Sequence, residues 1–271
     1  LYKTLDLIDL KKYKKSEKLF ILGSGFSLNS ITANQWKEIN DNDIFGFNFS
    51  LLNKDHIPTF YTCEALMPVN LNEKGMSYMA NLYNASFATR NEDYKNVIKF
   101  VSDLNENNVK HFANYGKEII DENFYIVNTV NGVAGNRKQF NQLINYYKSK
   151  GIFDESTYLD KLFKFRATLC LGISFGIRMG YKKIILCGID LNDPRYFFED
   201  VNKYPDSIRL ESNPNNKSHS TITPNQLFVS IDKVVKELNE NICIPGGIEL
   251  TVQNPNSVLS SIIKVYKFDE I

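Results

Sequence analysis

The chain has 271 residues, 43% of them hydrophobic and 23% charged. That length suits one large domain with a real core, and that composition excludes an intrinsically disordered chain. Lys and Arg number 32 against 31 Asp and Glu, a net charge of +1, which disfavours a strongly basic nucleic-acid binder.

The short apolar run Lys18–Leu22, ending at Gly23-Ser24-Gly25, predicts a buried strand, a tight turn and a helix. Asp43–Asn48 and Thr59–Cys63 read as the next two strands. Helical or loop pattern separates them, and the alternation implies a parallel sheet with right-handed crossovers. The stretch Leu66–Leu162 is rich in Asn, Tyr and Lys. It predicts helices near Tyr94–Leu104 and Lys138–Tyr147 with a strand at Phe124–Asn128 between them. Residues 66–162 therefore read as a variable lid or acceptor subregion over the active-site edge. From Phe165 the order returns. An apolar helix over Arg166–Met179 is followed by Gly180 as C-cap and by a strand over Lys183–Cys187 that ends at Gly188-Ile189-Asp190. Thr223–Gln226 reads as a capping box with Pro224 at the first helical position, opening a helix through Leu238. A short strand at Ile242–Ile244 and a helix from about Ser257 complete the pattern. Residues 1–271 are expected to form one Rossmann-like α/β domain, a mostly parallel sheet flanked by helices.

Cys63, Cys170, Cys187 and Cys243 lie far apart with no CxxC pair. Neither a zinc knuckle nor a disulfide framework is expected, and a reducing, cytoplasmic compartment is. No apolar run reaches the ~18–20 residues that span a bilayer. Leu1–Lys18 is interrupted by Asp6, Asp9 and lysines, unlike a signal peptide. An opening Leu in place of Met suggests a piece of a longer chain. Lys11, Lys12, Lys14 and Lys15 beside Leu5, Leu7, Ile8 and Leu10 raise a peripheral contact with an anionic inner-membrane surface, against the favoured reading of a solvated helix face.

Gly23 and Gly25 permit a sharp turn and let backbone N–H groups approach an anion at a helix N-terminus. A dinucleotide is disfavoured: Leu28 stands where GxGxxG needs its third glycine, and the next strand ends in Asn48 instead of an acidic residue. Of three histidines, His56 and His111 read as surface residues. His219 lies before the expected capped helix, whose dipole would hold the imidazole neutral and able to act as a base; a loop histidine hydrogen-bonded to its own backbone is the equal alternative. Asp41-Asn42-Asp43 matches Asp-x-Asp but precedes its strand, at the wrong end of a parallel sheet for a metal. Asp190 and Asp193 are on the right edge, with Asp190 readable equally as a buried cap of neighbouring backbone.

Taken together, several segments resemble the bacterial sialyltransferases of glycosyltransferase family 42. They are Ile21–Leu28, Phe47-Asn48, Phe60-Tyr61, Arg166-Ala167-Thr168, Met179–Asp190, Ser218-His219-Ser220 and Asn254–Ser257. The resemblance covers both ends of the sheet domain and not Leu66–Leu162. It implies an inverting, metal-independent transferase with no cofactor, moving an acidic sugar from a CMP-activated donor to a glycan or glycolipid that belongs to a surface polymer such as lipooligosaccharide or capsule. His219 falls on the family's base, Arg166 on an active-site arginine and Tyr196 on one of two tyrosines near the donor phosphate, with Asn192 replacing the other. Gly23, Ser24 and Gly25 would contact the nucleotide, Asn48 and Phe49 the cytidine side, and Thr62, Thr168, Leu169, Gly188, Asp190 and Leu191 fall on donor-binding positions. Ser24, Thr62 and Leu169 depart from the family's residues, which leaves CMP-Kdo or another nonulosonate donor beside CMP-sialic acid. A nucleotide-binding module without catalysis is the alternative from another class. The resemblance also suggests a homo-oligomer.

Overall fold

The computed structural model describes residues 3–63, 84–102, 120–205 and 218–269. Its frame is a ten-stranded sheet in which every strand pairing is parallel. The strands are β1 (Lys3–Thr4), β2 (Lys18–Leu22), β3 (Asp43–Phe47), β4 (Phe60–Cys63), β5 (Ile98–Ser102), β6 (Phe124–Val130), β7 (Lys161–Phe163), β8 (Lys183–Cys187), β9 (Glu249–Val252) and β10 (Lys264–Val265). The principal helices are α1 (Ala33–Asn40), α2 (Arg137–Ser149), α3 (Thr168–Arg178) and α4 (Ile231–Leu238). The Rossmann-like α/β expectation holds.

The strand order is β1-β6-β5-β4-β3-β2-β8-β9-β10, with β7 against β6. From β2 the chain steps outward through β3 to β6. After α3 it returns to β8 on the other flank of β2. Strand order therefore reverses between β2 and β8, where open α/β sheets form their ligand crevice. The register pairs Leu22 with Cys187, so both following turns leave the sheet side by side.

Burial on both faces explains the central strands. Leu19 and Ile21 enter one core cluster and Phe20 and Leu22 the other, which removes the alternation of a one-sided strand. α3 is buried at every position, and its Phe175 ring lies 5.0 Å from that of Phe45 on β3. Gly180 follows the helix at φ 70°, as a C-terminal glycine should.

Several expectations are corrected. The helix expected near Tyr94–Leu104 gives way to a strand: Ile98–Ser102 is β5, fully buried within the main sheet. With β6 also in that sheet, two segments of 66–162 build the frame instead of covering it. Thr223–Gln226 opens no helix, because α4 starts after Ser230. Ile242–Ile244 continues α4 as a π-helical turn, and the strand there is β9. Val258–Ser261 is a single 3-10 turn. His56 is buried, at 2% exposure, with its ring stacked on Trp36 of α1 (centroids 5.8 Å apart, planes at 4°). His111 lies outside the described residues.

The four cysteines are buried free thiols. Among the described residues no helix is long and apolar enough to cross a membrane. Lys11 pairs with Glu155, and Lys14 pairs with Glu17 (3.0 Å) and donates to the Gly180 carbonyl (3.1 Å), so part of the amino-terminal lysine cluster is held by the chain itself. Asp43 also serves the fold: its carboxylate accepts from the Lys15 amide (2.7 Å), the Tyr181 hydroxyl (3.0 Å) and the Thr59 hydroxyl (3.1 Å).

Candidate functional site

A cleft of about 380 Å³ opens at the carboxyl ends of β2, β3 and β8, within the range of small-molecule sites. Its floor is made by the two adjoining turns. The Gly23 N–H donates to the Cys187 carbonyl (2.9 Å) and the Gly25 N–H to the Gly188 carbonyl (2.8 Å). A Cβ on Gly23 would sit 2.6 Å from the Gly188 oxygen, and one on Gly25 2.6 Å from Asp190 Oδ2. These glycines are required by the approach of β8's turn. Their amides are engaged with protein instead of being aimed at an anion, which corrects the expected cradle. The segment that follows, Phe26–Ser30, is a 3-10 turn and not an α-helix.

Asp190 locks the two turns together. Its Oδ2 accepts from the Ser27 N–H (2.6 Å) and its Oδ1 from Asn254 Nδ2 (2.7 Å). This is the buried-cap role. Asp193 is held by Arg195 through its Nε (3.0 Å) and Nη2 (2.7 Å), and this guanidinium keeps the Asp193 carboxyl below the usual carboxylate range. Among the described residues no group of three or more His, Cys, Asp or Glu is placed to hold a metal ion.

Opposite the glycine turn lie Asn48 and Phe49 and the start of α3. Asn48 has φ 50°, a left-handed conformation that Asn tolerates better than most residues. Ala167, Thr168 and Leu169 bring the amino end of an eleven-residue helix to the cleft wall, and such an end carries partial positive charge. At the cleft wall it is thus the amino end of α3 that carries main-chain partial positive charge, while the Gly23 and Gly25 N–H groups are paired within the fold. Just before it, Arg166 adopts φ 65°. Its guanidinium donates to the carbonyls of Phe228 (3.1 Å), Val229 (3.2 Å) and Thr223, clamping the loop that leads to α4. Burial lowers its pKa and Asp232 raises it again; an arginine so placed stays charged.

Tyr196 forms a bridge with Gly25 across the cleft mouth, and its ring stacks on Phe198 (5.1 Å) and meets Phe49 edge-on (6.3 Å). His219 is exposed on the cleft rim, and its N–H donates to the Leu191 carbonyl (3.1 Å). The helix dipole expected to keep its ring neutral is absent from its neighbourhood in sequence, since only a three-residue 3-10 turn follows before α4 begins at Ile231. Thr221 orients the ring instead. Its Oγ1 lies 2.8 Å from His219 Nδ1, and its amide N 3.3 Å from the same atom. With Nδ1–H donating to Oγ1, Nε2 keeps its lone pair and can accept a proton; with Nδ1 accepting from the amide, it cannot.

All the sequence-derived site residues line this cleft except two. Thr62 is buried within β4, where its hydroxyl donates to the Phe100 carbonyl (2.8 Å). Asn192 lines an adjoining hollow, with its amide donating to the Asn256 carbonyl (3.1 Å). Sequence reasoning passed over Arg195 and Thr221. Their signals were adjacency to Tyr196 and the His-x-Thr spacing, in which a hydroxyl two residues on reaches back to the ring. Compared with protein-family models, with curated proteins and with solved structures, the chain gives no match.

Proposed function

We propose that the cleft binds a CMP-activated acidic sugar and that the chain transfers this sugar, with inversion, to a glycan hydroxyl. The carrying observation is that His219, Tyr196, Asn48, Thr168 and the glycine turn, drawn from both ends of the sequence, meet in one cleft where strand order reverses. Arginine side chains and a helix amino end favour an anionic ligand there.

In the proposed reaction His219 Nε2 takes the acceptor hydroxyl's proton while that oxygen bonds to the anomeric carbon. The bond from this carbon to the phosphate oxygen breaks, and its electron pair leaves with CMP. The phosphate monoester's second pKa of about 6 makes CMP a competent leaving group. Thr221 Oγ1, accepting from Nδ1–H, holds the required tautomer and supports the imidazolium as it forms. Tyr196 and the start of α3 stand where they can meet charge growing on the phosphate.

Donor assays with CMP-N-acetylneuraminic acid and CMP-Kdo, across an acceptor panel, test the reading and choose between the sugars. His219→Ala should abolish transfer while CMP still raises the melting temperature. Full transfer by that variant rejects the base. A CMP shift without turnover of either donor favours the module without catalysis, and a shift with NAD alone ends the reading.

A further inference from the structure

Beside the cleft is a second depression of about 380 Å³, formed by the loops that follow β2, β8 and β9. The two share Asp190 and Asp193 as a common rim, and charge divides them. Arg166, Arg195 and His219 line the cleft, while among the described residues no Lys, Arg or His lines the hollow, though the Arg195 guanidinium covers one face of the Phe26 ring at 3.9 Å.

We infer that this hollow is a subsite for an uncharged carbohydrate. Its wall is rich in carboxamides, three of which give one of their two N–H donors to the protein. Asn29 Nδ2 donates to the Phe197 carbonyl (2.8 Å), Asn192 Nδ2 to the Asn256 carbonyl (3.1 Å) and Asn254 Nδ2 to Asp190 (2.7 Å). Ser30 donates its hydroxyl to the Ser27 carbonyl (2.7 Å). The remaining amide N–H groups and oxygens give the wall both donors and acceptors, which a sugar hydroxyl, itself donor and acceptor, can match. The Ser27 hydroxyl is buried without a hydrogen-bond partner among the described residues, a state that costs free energy until something pairs it. Asp190 and Asp193 repel phosphate and carboxylate, and Phe26 supplies an apolar wall. A ligand with several hydroxyl donors, an apolar face and no negative charge fits this lining: a neutral sugar.

The assignment of that sugar as the acceptor rests on the transferase reading; the binding of a sugar does not. The hollow and His219 meet at one loop, because the His219 amide is bonded to Leu191, the residue before Asn192.

Saturation-transfer NMR with the methyl glycosides of glucose, galactose, mannose and N-acetylglucosamine tests the subsite on the intact chain. Ser30→Tyr, at an exposed position, fills the hollow, and Asn256→Lys places a cation in it. The wild type should transfer saturation to at least one glycoside, and each variant should reduce that signal about tenfold while the CMP-induced thermal shift is unchanged. No signal from the wild type, or a signal undiminished from the wild type's in both variants, overturns the subsite. A reduced glycoside signal with no CMP shift in any form of the protein keeps the subsite and removes the transferase.

Discussion

At the cleft rim His219 is exposed with Nδ1 2.8 Å from a threonine hydroxyl, whereas beneath α1 His56 is buried against Trp36 with neither ring nitrogen hydrogen-bonded among the described residues. Burial, helped by the charge of Arg90, pulls the His56 pKa down to about 3. Its ring is neutral because the fold gives the proton nowhere to go, and it works as packing. At His219 the residue stays exposed, and the Thr221 hydroxyl and amide both lie against Nδ1. Neutrality alone does not mark a base; access and an oriented partner do.

The widest separation between the two comes from removing each ring. His219→Ala should lower transfer by about 10³-fold, within the usual contribution of a general base, with CMP binding intact. His56→Phe should leave transfer unchanged. Retained transfer in the first variant, or lost transfer in the second, would break the contrast.

The floor beneath His219 can be broken separately. Gly25→Ala drives a Cβ to 2.6 Å from Asp190 Oδ2 and 2.7 Å from the Gly188 carbonyl. It should cost about 3 kcal/mol, the upper end for overpacking, and remove the CMP-induced thermal shift. A wild-type melting temperature would contradict this close approach.

The pH dependence of stability should come from His56. Its folded pKa of about 3 lies below the ordinary value of 6.5, so below 6.5 the unfolded chain binds the proton that the folded chain refuses. The stabilisation is complete above 6.5 and is lost as pH falls toward 3. Denaturant titrations at pH 7 and pH 5 should differ by about 2 kcal/mol on this account, and His56→Phe should flatten that slope. The same slope in both proteins would place the ring in water.

The smallest effect expected is at the orienting hydroxyl. Thr221→Val should lower kcat about tenfold with KM unchanged and shift the acidic limb of the pH profile, where the base takes up its proton, while Thr221→Ser restores both. An unchanged kcat would mean that the ring is held by something else.

Much of the frame was legible because central strands announce themselves as apolar runs closed by glycine: Lys18–Leu22 and Lys183–Cys187 fell where expected. The failures share a cause. In β5, Lys99 sits inside a buried strand, its ammonium donating to the Tyr94 carbonyl (2.7 Å) and pairing with Asp121 (2.6 Å), so a lysine disguised a two-sided strand as a polar helix. Thr223–Gln226 has the letters of a cap. There the main chain instead turns its carbonyls to Arg166 and pairs Ala134 with residues 227–229, contacts remote in sequence that outvote a local signal. The glycine turn was located correctly and misread chemically, because its neighbour β8 cannot be seen from the motif alone.

The left-handed backbone of Arg166 has a consequence for how this protein answers mutagenesis. Three carbonyls of one loop converge on a single planar cation, and the same loop continues from the strand of residues that presents His219. An ammonium group is a compact point donor and cannot reproduce that fork. A lysine at 166 would preserve the charge and still let the loop drift, so kinetics alone would score as chemistry what is carpentry.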